Sequence, residues 1–316
     1  MVNDNDIAIS TIETNRCHGN SFMVQRLKRH ALGYLELAEK PSLEELRDYY
    51  ATKYYQEGRG SYELEYSEEE VTYFKAKLEQ CWFVIKNYLS SETERRSMLD
   101  VGCGEGYALA FFRQKGWQVR GLDFSAAGVE SKNPSCADAL VTGNIVDLLE
   151  SEIQAKRRYD VLLLQNVLEH LLDPVQFLLS LREIIKKDGV AVVTVPNDGS
   201  ITQQAALEQK HIDSAFWIAP PDHLSYFDKD SLRNIAEHTE WDCVQMFGDF
   251  PVDWFIFHPG SNYVRDKSLG KAAHMAKVQI ENMIHTQPLD AIIEFWTAAA
   301  KVGLGRNITI ILQNRR

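Results

Sequence analysis

The chain has 316 residues, 45% of them hydrophobic and 25% charged, which is the balance of a globular protein with room for one large α/β domain and additions. Its formal net charge of -11 excludes a protein whose main work is gripping a phosphate backbone, since that affinity comes from clustered Lys and Arg. Five scattered cysteines (Cys17, Cys81, Cys103, Cys136, Cys243) form no C-x-x-C pair, and the start MVNDNDIAIS lacks the basic and apolar pattern of a secretion signal. The expectation is a cytoplasmic protein with no disulfide framework, no membrane span and no nucleic-acid partner.

Residues 1–95 carry helical periodicity and are expected to form an N-terminal helical extension. A helix is placed from Phe22 to Glu39, stopped by Pro41, and Ser42-Leu43-Glu44-Glu45 resembles a capping box that opens another. Val71, Phe74, Leu78, Cys81, Trp82, Ile85 and Leu89 recur at spacings of three and four, the stripe of one amphipathic helix. The tyrosine-rich stretch before it, with Tyr50, Tyr54, Tyr55 and Tyr62, can pack as half-buried aromatics or close over a bound cation.

From residue 96 to 250 short apolar runs alternate with helical segments, the pattern of parallel strands and their crossovers. Strands are expected at Met98–Val101, Gln118–Leu122, Ala139–Thr142, Asp160–Leu164, Val190–Val195 and Trp241–Phe247, with helices at Tyr107–Lys115, Pro174–Lys187 and Lys229–Thr239. A helical insertion follows over 251–305, expected to cap the acceptor side. The remainder, 306–316, holds a seventh strand, Ile308–Leu312.

The most informative segment is SMLDVGCGEGYALAFF, a strand ending in Asp100 and then Gly102, Gly104 and Gly106 before a helix. Glycines let a backbone turn tightly and approach a ligand at the crevice of a doubly wound sheet. The G-x-G-x-x-G/A of dinucleotide binding is not met, because Tyr107 and Leu109 occupy the final places. In GLDFS, Asp123 falls at the end of the second strand, where a carboxylate accepts from ribose hydroxyls, with Phe124 beside it. In VTGNIVDL, Asn144 is either an adenine contact or a turn residue, and Ile145 can pack on the ring. YDVLLLQNVLEHLLDP is a buried strand running into Gln165 and then to Glu169 and His170.

The ordered series LDVGCGEG, GLDFS, GNIVDL, YDVLLLQNVLEHLLDP, DGVAVVTVPN and PPDHLSYFDKDSLRNIAE resembles the class I S-adenosylmethionine-dependent methyltransferases. The likeness is to the broad group acting on glycans, lipids, quinones and small metabolites. It covers about residues 97–247, and the ATKYYQEG run also looks like that group. The resemblance implies a Rossmann-like, seven-stranded, mostly parallel sheet with the last strand antiparallel. It also implies that Asp100 and the three glycines hold the methionine portion, Asp123 the ribose, Phe124, Asn144 and Ile145 the adenine, and that Gln165 offers its backbone to the amino group.

Methyl transfer needs an aligned, desolvated acceptor and, for a hydroxyl, a base, for which histidine suits neutral pH. His170 is the first candidate to contact the reacting centre and His223, in PPDHLSYF, the second; each has a purely structural alternative as a loop-holding histidine. Arg306 and Asn307 beside the last strand either reach an acceptor or form a turn. No H-E-x-x-H, cysteine pair or G-x-S-x-G is present, so neither a metal nor a serine nucleophile is expected. The expected activity is O-methylation of a sugar, glycan precursor or hydroxylated small metabolite, leaving S-adenosylhomocysteine. N- or C-methylation is the alternative within the class, and a non-catalytic nucleoside-binding module the alternative outside it.

Overall fold

The computed structural model describes residues 27–46, 48–49, 65–89 and 95–315. Tyr50, Tyr54, Tyr55, Tyr62, the ATKYYQEG run and the first part of the Phe22 helix lie outside the described residues.

Over 27–37 the expected helix is instead a hairpin. Strand β1 (Leu27–Arg29) pairs antiparallel with β2 (Leu35–Leu37), Leu27 opposite Leu37. Gly33 turns the chain at φ +98° and donates its N–H to the His30 carbonyl, 2.8 Å. The other edge of β2 pairs with β8 (Ser225–Tyr226), a partner that local periodicity cannot report. The capping box after it does form: the Ser42 amide donates to Glu45 Oε2 at 2.7 Å, and the Glu45 amide to Ser42 Oγ at 3.2 Å. A second box, between Ser67 and Glu70, opens helix α1 (Glu68–Ile85); of the expected stripe Leu78, Cys81 and Ile85 are buried, Val71, Phe74 and Trp82 are half-buried, and Tyr73 and Val84 join the buried face.

The main sheet contains β3 (Ser97–Val101), β4 (Gln118–Asp123), β5 (Leu140–Thr142), β6 (Tyr159–Gln165), β7 (Ile185–Pro196), β9 (Trp241–Gly248) and β10 (Asn307–Asn314). Their spatial order is β5-β4-β3-β6-β7-β10-β9. The final strand β10 runs antiparallel to both neighbours, and the remaining described pairings are parallel. This is the Rossmann-like sheet that the strand pattern and the resemblance imply. One boundary moves: helical pattern was expected to reach Lys187, but strand pairing begins at Ile185, which lies opposite Tyr159.

Alternation along the strands splits the core in two. Leu162, Leu164, Val193 and Ile310 face α4 (Ile145–Gln154), α5 (Pro174–Ile184) and α7 (Lys229–His238). Val161, Leu163, Val192 and Ile311 face α1, α2 (Tyr107–Gln114) and α9 (Leu289–Lys301). Short α3 (Ala127–Lys132) and α6 (Ile201–Glu208) complete the crossovers. The inserted α8 (Gly270–Ile284) and α9 therefore pack on the α1 face of the sheet, α8 against α1 and α9 against β9.

The chain enters β10 through a fixed corner. Asp249 accepts from the Arg306 and Asn307 amides at 2.7 and 2.8 Å, and Asn197 Nδ2 donates to the Gly303 and Gly305 carbonyls at 3.0 Å. Among the described residues no helix is long and apolar enough to cross a membrane.

Candidate active site

From β3 the chain winds outward through β4 to β5, then returns to β6 on the other side of β3. The crevice at this switch point, at the carboxyl ends of β3 and β6, is where an open α/β sheet binds ligands.

The loop after β3 is built for close approach. The Gly102 and Cys103 amides donate to the Leu122 carbonyl at 2.7 and 3.1 Å, folding the loop over β4. Gly102, Gly104 and Gly106 have φ of +73°, +53° and +75°, and a Cβ on Gly102 would stand 2.4 Å from Val167 Cγ2. Only glycine lets this loop and the segment after β6 come together.

Asp123 ends β4, buried, with Oδ2 accepting the Gly104 amide at 2.8 Å and Oδ1 the Ser125 amide at 3.1 Å. Burial pushes its carboxyl up, while those amides and that of Phe124 act against the shift. Asp100 lies deeper in β3, where burial and then the Asp123 charge push it to about 7. Asn144 caps α4, its Oδ1 accepting the Val146 and Asp147 amides at 2.9 and 3.3 Å. A carbonyl so occupied leaves the Asn144 NH2 as the half best placed to serve a ligand.

Most of these residues surround a cavity of about 1100 Å³, slightly above the roughly 300–1,000 Å³ of ordinary ligand pockets. Gly102, Gly104, Asp123 and Phe124 line one part of it, Asn144, Ile145 and Gln165 the next, and His170 and His223 the far wall. Asp100 and Gly106 do not line it: Asp100 is buried behind the loop and Gly106 is the N-cap of α2. None of 251–305 lines it among the described residues, whereas Leu43 and Leu46 of the N-terminal part do.

The far wall is polar. His170 Nδ1 donates to the Asp222 carbonyl at 2.5 Å, which leaves Nε2 as the basic nitrogen, 3.8 Å from Glu169 Oε1. Glu169 is 1% exposed, with no side-chain donor hydrogen-bonded to its oxygens. Burial raises its carboxyl well above the usual range, and the charges of Asp198 and Asp222 add to this. The His223 ring meets that of His170 edge to face, centroids 4.9 Å apart, and its Nδ1 is 3.9 Å from Asp198 Oδ2. The other oxygen of Asp198 is 3.5 Å from Arg306 Nη1. Burial pushes Asp198 up to about 7 although Arg306 pulls the other way. The loop carrying His223 is held to the segment carrying His170 by the Leu224 amide on the Glu169 carbonyl, 2.8 Å, and to the hairpin by the β2–β8 pairing.

Asp198 is the site residue that sequence reasoning missed. V-P-N-D-G-S has the composition of a turn, and only the folded chain sets this carboxylate between His223 and Arg306. The ligating atoms of Glu169, His170 and His223 all lie within 4.8 Å of one another, a spacing that admits a divalent ion. No sequence motif spells this trio, because His223 comes from a separate loop.

The model of the methyltransferase-domain family matches residues 74–246, more than half of the chain. The chain belongs to this family. Similar curated proteins include the ubiquinone biosynthesis O-methyltransferase of Rickettsia conorii, 28% identical over 109 residues, which are 34% of this chain and 38% of that protein. That of Yersinia enterocolitica is 26% identical over 153 residues, 44% of this chain and 62% of the relative. The matches thus span 38% and 62% of these relatives' lengths. Among solved structures, a SAM-dependent methyltransferase from Archaeoglobus fulgidus aligns at a TM-score of 0.48 and 18% identity, over 85% of this chain and 99% of its own.

Proposed function

We propose that this protein transfers a methyl group from S-adenosylmethionine to a hydroxyl oxygen of a small-molecule acceptor, a class that includes sugars and glycan precursors. The observation that carries the reading is one cavity that joins the Gly102–Gly104 loop and Asp123 to two imidazoles. The names of the curated relatives favour oxygen over nitrogen or carbon as the methylated atom.

The residues fit the donor. The glycine cradle has no space for a Cβ at Gly102, Asp123 keeps acceptor capacity for a ribose hydroxyl beyond its backbone amides, and Phe124 and Ile145 offer apolar surface to adenine. When bound, the donor supplies an electrophilic methyl on a sulfonium. The chain's own part is alignment, exclusion of water and acceptance of a proton. As the acceptor O–C bond forms and the S–C bond breaks, with its electron pair staying on sulfur, the hydroxyl proton passes to an imidazole nitrogen on the far wall.

A screen of hydroxylated small molecules with methyl-labelled donor tests this, run once in EDTA and once with added Mg²⁺ or Mn²⁺. We expect label in an ether linkage and equal turnover in both buffers. Turnover lost in EDTA and restored by the ion would transfer the deprotonating role to a metal at Glu169, His170 and His223. Label on nitrogen or carbon would overturn the choice of oxygen.

A further inference from the structure

We infer that Asp198, held by Arg306, is the positioning residue that fixes the His223 tautomer, so that Nδ1 carries the proton toward Asp198 and Nε2 is left as the proton-accepting nitrogen. The inference rests on the reading of the cavity as a methyl-transfer site, and it separates the two wall histidines by what stands behind each.

Asp198 is 6% exposed, and no close hydrogen-bond donor is set against its oxygens. A buried carboxylate in that condition is costly unless cations or donors face it. Two do. Arg306 Nη1 is 3.5 Å from one oxygen, and His223 Nδ1 is 3.9 Å from the other, within a small ring rotation of a hydrogen bond. An imidazole beside a carboxylate turns its N–H to it, because the opposite tautomer sets a lone pair against a negative charge.

Other ionisable groups stand close to the ring, and each is engaged with His170. Asp222 gives its carbonyl to His170 Nδ1 and has its carboxylate 3.7 Å from the same nitrogen, and Glu169 faces His170 Nε2. The Tyr226 hydroxyl donates to the His223 carbonyl at 2.9 Å, not to the ring. Asp198 Oδ2, 3.9 Å away, is the carboxylate oxygen that approaches His223 Nδ1.

Arg306 is in turn held from the insertion. Asp253 acts on it electrostatically, and Asp253 accepts from Gln203 Nε2 at 2.9 Å and from the Tyr263 hydroxyl. Residues 251–305 thus reach the reaction centre through this ionic line without lining the cavity.

The test is ¹⁵N spectroscopy of the full chain labelled at histidine, with the His223 signals assigned by their loss in His223→Gln. In wild type we expect neutral His223 to be protonated at Nδ1. In the isosteric Asp198→Asn, whose NH2 can donate to Nδ1, we expect the Nε2–H form. Asp198→Ala is a second variant, expected to lose the Nδ1–H preference without supplying a new donor. In turnover, both variants should lower kcat by about 100-fold or more while S-adenosylhomocysteine binds as in wild type. A wild-type Nε2–H tautomer, or a tautomer unmoved in both variants, overturns the proposal. The spectra need neither donor nor acceptor, so failure of the methyl-transfer reading would show in the turnover and titration experiments while leaving the tautomer result standing.

Discussion

Gly102→Ala is expected to weaken S-adenosylhomocysteine binding by about 100-fold or more, near 2.7 kcal/mol. Two separate costs act at this position. The backbone stands at φ +73°, where a side chain costs roughly 1–2 kcal/mol, and the new methyl would lie 2.4 Å from Val167 Cγ2. The loop can escape only by moving away from the segment after β6, which opens the cradle. Gly116→Ala is the control: its φ is +80° but nothing lies within 4 Å of its Cβ. That variant should lose only the backbone term in a denaturation curve and bind the ligand as wild type does. Equal binding losses in both variants would show that chain strain, not the shape of the cradle, is being measured.

The second large effect is expected at the far wall. His223→Gln should lower turnover by about 10²–10⁴-fold, the usual contribution of a positioned base, with nucleoside affinity within about twofold of wild type. His170→Gln should cost less, because the carboxylate near its Nδ1, that of Asp222, is partly open to solvent and the nitrogen is already engaged by the Asp222 carbonyl, whereas Asp198 beside His223 is buried. Parallel measurements of initial rate with labelled donor and of S-adenosylhomocysteine affinity separate chemistry from binding. Full turnover in both variants would remove the histidine base and favour an acceptor that reacts without one, such as an amine.

The parts of this molecule that the sequence discloses are those whose cause is local. β6 and β7 are buried on both faces and so appear as unbroken apolar runs, YDVLLL and VAVVTV. Gly102, Gly104 and Asp123 are legible because they follow or end a strand, and strand ends are where this architecture binds ligands. The β1–β2 hairpin is not legible, because Leu27 and Leu37 are buried against residues such as Trp217 and Leu224 from much later in the chain. The same holds for Asp198. Its meaning comes from Arg306, which follows the whole helical insertion, and no spacing within V-P-N-D-G-S marks that encounter. Periodicity did locate α8 and α9, yet it could not say which surface they cover. They lie on the α1 face, and the N-terminal part supplies Leu43 and Leu46 to the cavity instead.

The most direct test of the central claim is calorimetric titration of S-adenosylmethionine and S-adenosylhomocysteine into the wild-type protein and Asp123→Ala, with NAD as the control ligand. The account predicts saturable binding of both sulfur ligands and none of NAD. Removing the carboxylate that serves the ribose should weaken binding about tenfold or more, a loss near 1.4 kcal/mol. Folded wild-type protein that binds neither sulfur ligand, or binds them equally well without Asp123, would contradict it.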